Sequence, residues 1–161
     1  MIMNNNKSVQ GFTLIELIIV LAILGILAVM ALQSMSAGNI SKAQMTEGLN
    51  LGNTMKAAIS QYIAKHGDFP DNTASATGEI PIATDVNGEY VKQTSTKANK
   101  ILIEFKSKTD NPAITADLAE KKILLTGVSS GISVRWDCKT EVSADVSPTS
   151  CTADQTGLAL D

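Results

Sequence analysis

The chain has 161 residues, 44% of them hydrophobic and 18% charged, with 13 basic against 16 acidic side chains and a net charge of −3. That balance excludes a strongly basic nucleic-acid stripe, and two cysteines with one histidine leave a four-ligand metal site poorly supplied. The length suits one head domain on one stalk.

The leader comes first. Residues 1–11 carry Lys7, no acidic residue, and end at Gly11. Phe12-Thr13-Leu14-Ile15-Glu16 follows, and then sixteen residues, Leu17 to Leu32, without a charged or strongly polar side chain. Phe12 to Leu32 is 21 residues, which at about 1.5 Å per helical residue spans roughly 30 Å, one bilayer crossing. Gly11 is the clear small-residue breakpoint and precedes the apolar run, so cleavage there leaves the hydrophobic segment on the mature chain. Loss of the leader removes Lys7, leaving 12 basic against 16 acidic side chains, a balance of −4. The positive-inside bias predicts an inner-membrane topology with the N-terminus in the cytoplasm and the C-terminal bulk exported. Glu16 is a costly residue in such a segment and implies a task.

The run from Gly11 through Phe12 and Glu16 to Ala28 resembles the N-terminal signature of prepilins of the type IV pilin and type II secretion pseudopilin families, and the short leader is similar to the type IVa branch. The resemblance implies cleavage between Gly11 and Phe12 by a prepilin peptidase, N-methylation of Phe12, and packing of the apolar helix into a filament core by the pilus assembly machinery. For Glu16 it implies an ion pair with the new α-ammonium of Phe12 on a neighbouring subunit, which would fix register. The plainer alternative is that Glu16 only supports its own helix end through the dipole and its own N-terminus.

Many type IVa pilins carry a proline and then a tyrosine just past the apolar run; here the residues are Gln33-Ser34-Met35. Gly25, Gly38, Gly48 and Gly52 are then the candidate flexible points. From Leu51, the set Leu51, Met55, Ala58, Ile59, Tyr62 and Ile63 makes a one-sided stripe, and His66-Gly67-Asp68 before Phe69-Pro70 marks its end. Phe12 to about His66 is read as one long helix, with residues 12–32 in membrane or filament core. The methionines along it, Met30, Met35, Met45 and Met55, are read as packing.

The head spans residues 67–161. Asp71 to Gly88 reads as a surface loop. Lys100–Lys106 and Gly131–Cys138 alternate with period two, Lys122–Thr126 is a shorter strand, and Glu89–Thr94 a weaker one. Turn residues at 108–112 and 129–131 make an antiparallel meander the economical topology, so that the helix on the sheet is an α+β fold.

Cys138 and Cys151 form an isolated pair in an exported chain, which fits a disulfide closing residues 138–151 better than a metal site, two buried free thiols being the alternative. The Trp136-x-Cys138 spacing and the loop after it are similar to the C-terminal disulfide loop of type IVa pilins. His66 has no sequence-local acid or nucleophile and reads as a helix-end residue. Asp85-Val86-Asn87-Gly88-Glu89 could be a calcium-loop fragment, but Asn-Gly is first a turn signal. Lys92, Lys97, Lys100, Lys106 and Lys108 recur along the sheet and read as a solvated face. No catalytic or cofactor motif is visible, so no enzyme and no cofactor is expected. The expected protein is a structural subunit of a homopolymeric type IV pilus, held in the inner membrane before assembly and extracellular after it. It would support adhesion, twitching motility or DNA uptake through a host-surface or DNA ligand; a minor pilin or a pseudopilin is the alternative.

Overall fold

The computed structural model describes residues 12–33, 37–130 and 133–160, the side chains of 31–33, 37, 129 and 130 excepted. Gly11 and the residues joining the two helices lie outside it, and with them the cleavage site and the continuity of the predicted long helix. The chain divides into two units, Met1–Ser36 and Ala37–Asp161.

The first unit contains α1, Leu14–Gln33. From Leu17 to Met30 its residues are leucine, isoleucine, valine, alanine, one glycine and one methionine, so beyond Glu16 that stretch has no polar face to turn to water. Among the described residues no helix is long and apolar enough to cross a membrane; the C-terminal end of the expected span, Ala31-Leu32, lies outside the described side chains.

In the second unit, α2 (Ala37–His66) lies on a five-stranded sheet of β1 (Val91–Lys97), β2 (Lys100–Phe105), β3 (Lys122–Ser130), β4 (Ser133–Thr140) and β5 (Cys151–Ala153). The α+β architecture is the expected one. The strands lie in chain order, the first four antiparallel. The last departs from the expected meander, because β5 pairs parallel to β4. Strand alternation sends Ile101, Ile103, Phe105, Ile123 and Leu125 to the inner face, where they meet Met45, Met55 and Ile59 of α2. The helix comes close because Gly48 and Gly52 leave room: a Cβ on Gly48 would stand 2.8 Å from Phe105 Cζ, and one on Gly52 2.8 Å from Ile103 Cδ1. Two of the four expected flexible points are thus close-approach points inside a helix. The stripe also begins earlier than Leu51, with Ser41, Gln44 and Met45 already buried. Gly67, at φ 81°, ends α2 as foreseen, its N–H donating to Ile63 O at 2.8 Å.

Three segments differ from expectation. The short third strand is the longest, nine residues, and Ser129 and Ser130 belong to it rather than to the turn. The loop after β2 buries Ile114 and Leu118 completely. The region 71–88 holds a 3-10 helix, Ala83–Asp85, and buries Asn72, Ile80 and Ala83. On the outer face of the sheet Leu102 and Leu124 are covered by Leu158 and Leu160 from the C-terminal segment.

Candidate functional site

The N-terminus of α1 is built by a four-residue device. Glu16 Oε2 accepts from the Thr13 N–H at 2.9 Å and from its hydroxyl at 3.0 Å, while the Glu16 N–H donates to Thr13 Oγ1 at 3.3 Å. This is a capping box, Thr13-x-x-Glu16, which satisfies orphan donors at a helix start. The Thr-x-x-Glu spacing is the sequence signal for it. Glu16 therefore supports its own helix start through Thr13. Both bonds converge on one oxygen, and a carboxylate has about four acceptor positions, so capping and an inter-subunit pair are compatible.

Beyond that polar start the helix exposes its apolar side chains on every side, Phe12 at 90% and even Val20 at 49%. Thirteen large aliphatic or methionine side chains between Leu14 and Met30 are exposed in this way. At about 1.5 kcal/mol or more for each such side chain, water is a poor environment for the segment. Only an apolar partner, lipid or other helices, relieves it.

The second set of predicted residues lies in the head. Cys138 and Cys151 are directly opposite each other in the β4–β5 register and form a disulfide, with Cα atoms 4.5 Å apart. The bond thereby fastens the three-residue β5 to the sheet and closes a loop that buries Val142 and Val146. Trp136 lies across Gly127, whose Cβ would meet the ring at 3.2 Å. Phe12 and Glu16 are in the first unit and the cysteines in the second.

The remaining candidates find structural roles. His66 ends α2 and stacks on Tyr62, ring centres 4.3 Å apart. Asn87 Nδ2 donates to Thr84 O at 2.6 Å and the Gly88 N–H to Val91 O at 3.0 Å, which is turn bonding. A side chain at Gly88 would run into the Glu47 carboxylate, whose Oε1 accepts from the N–H groups of Tyr90 and Val91 at 3.0 and 3.1 Å. Among the described residues no cluster of three or more His, Cys, Asp or Glu side chains is arranged to hold a metal ion. Of the five lysines, Lys106 donates to Gly88 O and Glu89 O at 2.8 and 3.0 Å, and Lys108 to Ile114 O. Those two ammonium groups are tied to the backbone and are not a free basic face.

Fold and helix together define a filament subunit, and comparison with known proteins agrees. Residues 41–152 match the family described as pilin, a bacterial filament protein, and residues 6–32 match the prokaryotic N-terminal methylation motif. The chain belongs to the pilin family; it is a structural pilus subunit and not an enzyme. It is 37% identical over 94% of its length to a type IV major pilin protein PilE1 of Neisseria gonorrhoeae, covering 68% of that protein. It is 35% identical over 90% of its length to the fimbrial protein EcpC of Eikenella corrodens, covering 92% of it. A fimbrial protein of Neisseria meningitidis serogroup B is 34% identical over 87% of the chain and is covered over 78% of its length.

Proposed function

We propose that this chain is the major subunit of a homopolymeric type IV pilus. A prepilin peptidase cuts it between Gly11 and Phe12, and Phe12 is N-methylated. Before assembly the Phe12–Leu32 segment is held in the inner membrane with the leader cytoplasmic and the head outside. The assembly machinery then packs α1 into the filament core, where Glu16 pairs with the Phe12 ammonium of a neighbour. The exposed apolar surface of α1 with its single carboxylate carries this reading. Lipid and a bundle of identical helices are the two environments that bury such a surface, and a subunit passing from one to the other keeps it covered throughout. An unpaired carboxylate inside the bundle would cost several kcal/mol, whereas a pair with the new ammonium offsets that cost and sets register. The names of the relatives, major pilin and fimbrial protein, favour the major subunit over a minor pilin or a secretion pseudopilin. Adhesion, twitching motility and DNA uptake are the activities such a filament would support, through host-surface or DNA ligands.

The intact mass of the subunit in sheared surface filaments tests this. The expected mass is that of residues 12–161 plus one CH2 for the N-methyl group and less two hydrogens for the disulfide. A subunit retaining residues 1–11, or surface filaments lacking this chain, contradicts it.

A further inference from the structure

Asn72 is fully buried although the residues beside it in the loop, Asp71 and Thr73, are exposed. Its N–H donates to Thr96 O at 3.1 Å, and its carbonyl accepts from the Ala83 N–H at 3.1 Å. Its side-chain Oδ1 accepts from the Thr96 N–H at 2.7 Å, and its Nδ2 donates to Pro81 O at 2.9 Å and to Thr94 O at 3.4 Å. Thr94 and Thr96 belong to β1, which pairs with β2 on its other side. One asparagine therefore bonds the outer groups of an edge strand as a neighbouring strand would. The same residue holds both ends of the segment 72–83 together. Between those ends, Gly78, Glu79 and Ile80 form one wall of a groove of about 400 Å³, the other wall being Thr54, Ala58, Tyr62 and their neighbours on α2. The ion pair across that groove, Lys65 to Glu79 at 2.8 Å, is exposed on both sides, and such pairs hold little.

We infer that Asn72 is the clasp of a strap formed by residues 71–86. Closed, it covers the β1 edge and preforms the groove; released, it uncovers the edge and removes the groove wall in a single local opening. The reason is the number of buried groups that depend on it, since the Thr96 N–H and the Pro81 carbonyl lose their partners together when the amide leaves. Ile80 and Ala83 also anchor the strap by burial, and an opening confined to residues 71–86 lies below global unfolding.

Glu79 gives a protease site inside the strap. In the full-length subunit in detergent, Asn72→Ala should speed cleavage after Glu79 by a glutamyl endopeptidase by roughly tenfold or more. Thr73→Val should leave the rate unchanged, because the Thr73 hydroxyl bonds only the exposed Asp71 carboxylate. If Asn72→Ala fails to accumulate, native-state hydrogen exchange on the unaltered protein decides. The amides of Ala83 and Thr96 should then show the same protection, weaker than that of the β3 amides. Unchanged cleavage of a folded Asn72→Ala subunit overturns the proposal. So does an increase matched at sites within the sheet, or protection of Ala83 and Thr96 that differs by more than about tenfold.

Discussion

Two kinds of polar economy operate at the level of single residues, one at Glu16 and one at the glycines of α2. Glu16 caps its own helix through Thr13, so removing the carboxylate with alanine perturbs helix start and charge together; glutamine keeps the cap, because Gln serves at the same position of a capping box. The glycines show the reverse, a missing side chain that is needed. Alanine at Gly48 gains about 1 kcal/mol in helix propensity, but its Cβ would press on the Phe105 ring at 2.8 and 3.3 Å. Phe105 is 2% exposed, and overpacking of this kind costs about 1–3 kcal/mol. Gly48→Ala should therefore lower stability by about 1 kcal/mol in denaturant unfolding of the detergent-solubilised subunit; a gain would show that the helix sits less tightly on the sheet. The cysteine pair was legible because two isolated cysteines are chemically odd where they stand. Asn72 was not, since a buried asparagine in a polar loop looks like any turn residue until its partners are known.

Elements with a sustained period were legible in the same way. The stripe on α2 has one buried face, which is what a period reports, and β2 alternates between Ile101, Ile103 and Phe105 on the inner face and Leu102 on the outer. The turns around Ile114 and Leu118, and the parallel β5, have no period to read; tertiary burial and a covalent bond hold them. That bond sets the prediction for β5. Cys151→Ser, or reduction, should cost the head about 2–4 kcal/mol without preventing membrane insertion; thermal unfolding of the solubilised subunit measures it, and an unchanged midpoint would contradict it. Just after β5, Asp154 Oδ1 accepts from the Thr156 hydroxyl and N–H at 2.6 and 3.1 Å, and Oδ2 from Lys139 Nζ at 3.0 Å. The Thr156 hydroxyl first, then the Lys139 ammonium and the Thr156 amide, lower its pKa from 3.8 to about 2. A folded value below the unfolded one means that the stabilisation is complete above 3.8 and is lost as the pH falls toward about 2. Asp154→Asn should flatten that part of the pH–stability curve; an identical acid slope in the variant would show that Asp154 takes no part.

For the whole molecule, the head's five-stranded sheet and α2 make a self-contained core, whereas α1 leaves its apolar surface exposed. On the function proposed above, copies of this chain bury α1 against one another, with Glu16 supplying a charge for the neighbour's N-terminus. The variant Glu16→Gln isolates that charge, because the cap survives and the Gly11-Phe12 junction is untouched. The decisive measurement is the number of surface filaments per cell by electron microscopy, with an immunoblot confirming that the Glu16→Gln subunit is inserted and cleaved. The expected result is a processed subunit and a sharp loss of filaments, since the neighbour's ammonium is left buried without a counter-charge. Abundant, normal filaments built from processed Glu16→Gln subunits would contradict it and leave Glu16 as the cap of its own helix.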